Sequence, residues 1–189
     1  MTQVALDPAY RRISVDEFLR MDFGDAKAEL VDGVIHMMAG GRRRHNQVQM
    51  NVSIALGTRL RGSLCQPFGP DQAVLTGGSD IRYPDVSVYC GNLDNPNDDD
   101  ALLLGDPKVI FEILSESTKD YDQRYKLPEY RDLPGISAIV LIFPDSEHIR
   151  LVTRTGIEAW FEVWLRSGED LVLNCLNITL PHSEIFARD

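Results

Sequence analysis

Val109-Ile110-Phe111-Glu112-Ile113-Leu114-Ser115 decides how this chain is read. Apolar residues occupy both phases of a strand's two-residue repeat, so the run reads as a strand buried on both faces. One acid, Glu112, interrupts it. Arg82-Tyr83-Pro84-Asp85-Val86-Ser87-Val88 has the same character, with Asp85 as its lone acid. An ionised carboxylate in such a place loses hydration at a large cost in free energy, so each acid needs a partner.

The flanks of the first run extend the pattern. Thr118 to Arg131 is polar and reads as a helix, with Pro128 as its blemish, since proline in a helix interior costs roughly 3 kcal/mol. Ala138-Ile139-Val140-Leu141-Ile142-Phe143 is a second fully apolar strand, too hydrophobic for a sheet with one wet face. Pro144-Asp145-Ser146 is a turn, and Ile149–Thr153, Ala159–Leu165 and Leu171–Leu173 read as further strands before a short tail, Pro181 to Asp189.

Upstream, Ser14 and Glu17 form a capping box for a short helix over Val15–Met21. Asp32-Gly33 joins two strand-like runs, Ala28–Val31 and Val34–Met38, as a hairpin. From Arg42 to Leu60, Val48, Val52, Ala55, Leu56 and Leu60 recur at helical spacing, predicting the longest helix, with one apolar and one basic face. Short strands follow near Leu64–Phe68, Gln72–Leu75 and Ile81–Tyr89, and Asn92 to Gly105 reads as a loop. The architecture expected is α/β or α+β: a central mixed sheet, with the Arg42 helix on one face and the 118–131 helix on the other, and one domain over residues 1–189.

Composition bounds the rest. Hydrophobic residues make up 43% and charged residues 25%, as in ordinary globular proteins. No apolar run approaches the roughly 18 residues of a membrane span, and the start lacks a signal-peptide pattern, so the expectation is a cytoplasmic protein without a membrane. Cys65, Cys90 and Cys175 match neither a disulfide framework nor a zinc site, and buried free thiols are expected. The net charge of −10 argues against a generic nucleic-acid coat protein. The charge is nevertheless segregated. Five arginines and no acid lie between Arg42 and Gly62, and five aspartates (94, 98, 99, 100 and 106) and no base lie between Gly91 and Asp106. The aspartate run is read as a solvated face. Arg42-Arg43-Arg44 with His45 at a helix start suits phosphate contact, and equally a solvated basic turn.

Asp85 and Glu112 lie 27 positions apart on separate apolar stretches. On neighbouring strands they would meet, and two carboxylates about 4 Å apart repel by roughly 4 kcal/mol at an effective dielectric near 20. A hard cation such as magnesium reverses that term, takes carboxylate oxygens and keeps waters, which is the chemistry phosphodiester hydrolysis needs. The carbonyl of Ile113 is a natural further ligand. A lysine nearby can orient water or stabilise the transition state.

The ordered set Glu29-Leu30-Val31-Asp32-Gly33, His45, Tyr83-Pro84-Asp85-Val86-Ser87-Val88, Glu112-Ile113-Leu114-Ser115 and Asp120-Tyr121-Asp122 with Tyr125-Lys126-Leu127 resembles the Uma-two family. That family consists of endonuclease-like proteins of the PD-(D/E)XK superfamily. The match runs from about Ser14 to the C-terminus. The resemblance implies a restriction endonuclease-like fold and a magnesium-dependent endonuclease acting on DNA, with RNA not excluded, Mn2+ as a possible substitute and a homodimer as the form that cuts two strands. It implies Asp85 and Glu112 as metal ligands, Glu29 as an accessory acid and Lys126 as the catalytic lysine, because Leu114 occupies the usual lysine position. Asp122 and Lys126 are i and i+4 and share a helix face, and Lys119 could reach it.

Bland alternatives stand beside each role. Asp85 suits a strand-end turn, Glu112 a buried ion pair with Lys126, Glu29 an exposed hairpin edge, and Lys126 a surface salt bridge. For the whole chain the alternative is a catalytically inactive nucleic-acid-binding or regulatory protein of the same fold.

Overall fold

The computed structural model describes residues 11–38, 40–91, 93, 100–115 and 119–188. Helix α1 (Val15–Phe18) starts at the expected capping box, with Ser14 accepting from the Glu17 N–H and Glu17 reaching back. Strands β1 (Lys27–Val31) and β2 (Val34–Met38) form the hairpin. Asp32 and Gly33 both take positive φ, 50° and 75°, as the two-residue turn requires. Helix α2 (Arg43–Leu60) follows, then β3 (Cys65–Phe68), β4 (Val74–Thr76), β5 (Asp80–Arg82), β6 (Val86–Cys90) and β7 (Val109–Ile113).

A helical segment comes next in three parts: α3 (Lys119–Tyr121), a π turn (Asp122–Lys126) and α4 (Leu127–Arg131). Strands β8 (Ala138–Phe143), β9 (His148–Arg154), β10 (Trp160–Leu165), β11 (Leu171–Leu173) and β12 (Ile178–Leu180) and helix α5 (His182–Ile185) complete the described chain. The last strand and helix lie beyond what periodicity resolves, in and just before the segment read as a tail.

Among the described residues the strands form three sheets. A six-stranded mixed sheet has the order β10-β9-β8-β7-β6-β3, a four-stranded sheet the order β2-β1-β5-β4, and β11 pairs with β12. Only β7 and β8 pair in parallel within the large sheet. A parallel pair needs a crossover, and the α3–α4 segment between them supplies it.

Val109, Phe111 and Ile113 of β7 face α2, in a core with Val48, Val52 and Leu56. Ile110 and Leu114 face α4, in a core with Leu127, Tyr130 and Leu141. The apolar runs are therefore covered on both sides, and each fully buried aliphatic side chain contributes about 1.5–3 kcal/mol. The expected central mixed sheet between two helical layers is present.

Four expectations change. Ile81–Tyr89 is two strands rather than one: β5 joins β1 and β4, and β6 joins β3 and β7. The break falls at Tyr83-Pro84-Asp85, where proline removes a ladder donor and restricts Tyr83. Asp85 thus precedes its strand instead of lying within it. Cys65 and Cys90 are not free thiols. They stand opposite each other across β3 and β6, with Cα atoms 4.0 Å apart, and form a disulfide, while Cys175 remains free.

Pro128 does not kink an α-helix. It sits in the first turn of α4, where a missing N–H is tolerated, and the Leu127 N–H reaches back five residues to the Asp122 carbonyl. Finally, Asp94, Asp98 and Asp99 of the aspartate run and the expected helix start at Thr118 lie outside the described residues. No helix among those described is long and apolar enough to cross a membrane.

Candidate active site

The antiparallel register of β6 and β7 pairs Val86 with Phe111, so Asp85, one residue earlier, stands opposite Glu112. Each acid is held differently. Asp85 Oδ2 accepts the Ile113 N–H at 2.7 Å, and His45 Nε2 lies 2.9 Å from Asp85 Oδ1. Gln49 Nε2 donates to the Asp85 carbonyl at 2.8 Å. His45 and Gln49 come from the first turns of α2, so the start of that helix forms one wall. Burial works against a charged imidazole, but the hydrogen bond and charge of Asp85 outweigh it and raise the His45 pKa above its ordinary value.

Glu112 is only 5% exposed. Tyr130 donates its hydroxyl to Glu112 Oε1 at 2.6 Å, and Lys126 Nζ lies 3.5 Å from the same oxygen. Burial pushes the Glu112 carboxyl up to about 8; Lys126 opposes this, while Asp85 and Asp122 add to it.

Lys126 sits among three carboxylates: Glu29 at 2.9 Å, Glu112 at 3.5 Å and Asp122 at 3.6 Å. Burial disfavours its charge, yet these acids together raise its pKa, so the ammonium persists. Glu29 is pinned on both oxygens. Oε1 meets Lys126 and accepts the Tyr83 N–H at 3.3 Å, while Oε2 accepts from Arg82 Nη1 at 3.0 Å. Arg82 is fully buried and forks onto Glu129 of α4 at 2.6 and 2.8 Å.

A cleft of about 570 Å³ is lined among others by His45, Asp85, Glu112, Ile113, Asp122 and Lys126. The four residues expected to act together, Glu29, Asp85, Glu112 and Lys126, are therefore brought to one place, with Glu29 behind Lys126. Ile113 lines the cleft as well.

The basic turn divides. Arg42 and His45 line the cleft, and Arg43 is exposed. Arg44 turns inward, where its terminal nitrogens meet Glu147 and the carbonyls of Phe186 and Ala187. Lys119 is not among the residues lining the cleft. Sequence reasoning passed over Arg82 and Tyr130. Arg82 carried a signal of the Glu112 kind, a charge beside apolar Ile81, whereas Tyr130 carried none.

The donor set bears on which ion suits the site. Asp85, Glu112 and the Ile113 carbonyl offer only oxygens, the preference of a hard cation. Asp85, Glu112, Glu29, Asp122 and Glu129 face two permanent cations, Lys126 and Arg82, and one histidine. A divalent ion fits that excess. Among the described residues no group of three or more His, Cys, Asp or Glu side chains stands ready to hold a metal. Magnesium asks for less, because one or two carboxylates suffice when waters complete its shell.

Three comparisons set this geometry beside known proteins. Residues 15–181 match the model of the Uma2 family, described as "Putative restriction endonuclease". An uncharacterised Synechocystis protein, slr1290, is 24% identical over 94% of this chain and 93% of its own length. A second, sll1609, is 26% identical over 78% of this chain and 84% of its own. In fold, the chain is similar to a crystal structure from Anabaena variabilis titled as "a putative nuclease belonging to DUF820", with a TM-score of 0.77 and 17% identity, covering 93% of this chain and 98% of that one.

Proposed function

This chain belongs to the Uma2 family, and from that premise we propose that it is a metal-dependent endonuclease hydrolysing DNA phosphodiester bonds. One observation carries the reading. Two opposed carboxylates, one of them buried, share a cleft with a buried lysine.

In this reading Asp85, Glu112 and the Ile113 carbonyl would hold Mg2+, with Mn2+ able to replace it. The ion would neutralise charge on the phosphate and make water more acidic. The chain's own groups do the rest. The Ile113 N–H and His45 fix the Asp85 carboxylate, and the Tyr130 hydroxyl fixes Glu112. Lys126, held among Glu29, Glu112 and Asp122, acts as a donor: it orients the attacking water and stabilises charge growing on the phosphate oxygens. Glu29 aims Lys126 and serves as the accessory acid. Water oxygen forms the new bond to phosphorus, the bond to the leaving sugar oxygen breaks, and that oxygen gains the proton balancing the one water loses. Arg42 and Arg43 at the rim suit contact with the flanking phosphates. A cytoplasmic homodimer, one site for each strand, completes the proposal.

The acidic balance of the chain, a net charge of −10, favours a second reading, a catalytically inactive nucleic-acid-binding or regulatory protein of this fold. Plasmid DNA incubated with the protein and Mg2+ or Mn2+ separates the two. Cleavage by wild type that is lost in Glu112→Ala and in Lys126→Met supports the enzyme. Metal-independent DNA binding with no cleavage supports the inactive module.

A further inference from the structure

We propose that Arg82 is a positioning residue for this site, acting through Glu29 on Lys126; the inference rests on the nuclease reading above. Arg82 lies in β5 of the small sheet and reaches no cleft. Its guanidinium nevertheless ties three elements together. It forks onto Glu129 of α4, takes Glu29 of β1 at 3.0 Å and the Tyr121 hydroxyl of α3 at 3.1 Å, and stands over the Tyr121 ring at 5.7 Å.

The geometry gives this arginine a task that a lysine could not perform. Five donors in a planar fork can hold two carboxylates and a hydroxyl at fixed angles, whereas an ammonium is a point charge. Because Arg82 takes Glu29 Oε2, only Oε1 is left for Lys126, and that contact, at 2.9 Å, is the shortest of the three Lys126 ion pairs. Glu29 is thereby held at a fixed angle between two cations, and the ammonium is kept beside Glu112 instead of being drawn fully onto Glu29. The chain Glu129–Arg82–Glu29–Lys126 thus runs from the back of the helical layer to the floor of the cleft. Outer partners that orient acting groups typically cost roughly 10–100-fold in activity when removed.

The test uses Arg82→Lys, Glu129→Gln, Glu29→Gln and the double variant Arg82→Lys/Glu29→Gln in the full-length protein. Plasmid cleavage with Mn2+ gives kcat and KM, calorimetry gives Mn2+ affinity, and limited acetylation read by peptide mass spectrometry gives the reactivity of Lys126 against exposed Lys27. Arg82→Lys is expected to lower kcat roughly 10–100-fold with KM and Mn2+ affinity within about two-fold, and to raise Lys126 acetylation while Lys27 is unchanged. The double variant is expected to lose no more than Glu29→Gln alone, because both act through one carboxylate.

Additive losses, or unchanged kcat and unchanged Lys126 reactivity, overturn the proposal. Should Arg82→Lys fail to fold, Glu129→Gln keeps the buried cation, removes only its anchor and is read by the same two outcomes. If wild type never cleaves yet Lys126 reactivity rises in Arg82→Lys, the nuclease reading fails and the positioning role stands. If wild type cleaves and the variants match it, the reverse holds.

Discussion

Replacing Glu112 by glutamine should make the metal-free protein more stable at high pH while abolishing its proposed activity. The Glu112 carboxyl group is held at about 8 in the folded chain against 4.5 ordinarily, chiefly by burial. A group whose folded pKa is raised contributes stability that is fully present below its unfolded pKa. That stability is lost as pH rises through the folded value. Wild type should therefore lose stability between about pH 4.5 and pH 8, by on the order of 5 kcal/mol across the window. The amide introduced by Glu112→Gln keeps an oxygen to accept from Tyr130 and carries no charge to desolvate, so this component disappears.

Urea denaturation of both proteins in chelator, from pH 5 to pH 9, measures the difference, and titrations common to the two cancel. The stability of Glu112→Gln minus that of wild type should rise by several kcal/mol across the window and then level off. A difference that stays flat with pH would mean that Glu112 is ionised throughout as a plain ion pair with Lys126. The claim that burial dominates would then be wrong.

Three further outcomes follow from the same structure. Mn2+ binding should displace the Glu112 proton, so calorimetry in buffers of different ionisation enthalpy should show proton release below pH 8 and affinity rising with pH up to about 8. Leu56→Ala, at a fully buried α2 position packed on the large sheet, should cost roughly 2–5 kcal/mol in denaturant unfolding. Reducing Cys65–Cys90, which closes a loop over a separation of 25 residues, should lower stability by about 2–4 kcal/mol, read as the shift of the urea midpoint with and without reductant.

The parts of the fold legible in the sequence were those written in short-range period. The apolar faces of β7 and β8, the spacing of Val48 to Leu60, the Asp32-Gly33 turn and the Ser14–Glu17 box each carry their structural consequence within a few residues. Asp85 and Glu112 were legible as a pair because an acid among apolar neighbours demands an explanation wherever it sits. What escaped was fixed by distant partners. Arg82 meets Glu129 across 47 positions, and Arg44 meets the carbonyls of Phe186 and Ala187 across more than 140. No local pattern encodes such a meeting. The Cys65–Cys90 bond depends on a strand register that spacing alone does not give. The π turn escaped because a proline in a polar segment predicts a disturbance without saying what form it takes.

That turn has a consequence for how the lysine is aimed. A π turn closes with one residue more than an α turn, so the wide turn at Asp122–Lys126 sets the spacing of the side chains it carries. Deleting one residue there would let the segment close into a continuous α-helix without touching the sheet. It would also shorten the Asp122–Lys126 spacing from i,i+4 to i,i+3 and so shift the Lys126 amine relative to Asp122. The segment behaves as a spacer: the width of one turn sets how far apart two opposite charges, Asp122 and the Lys126 amine, stand on the wall of the cleft.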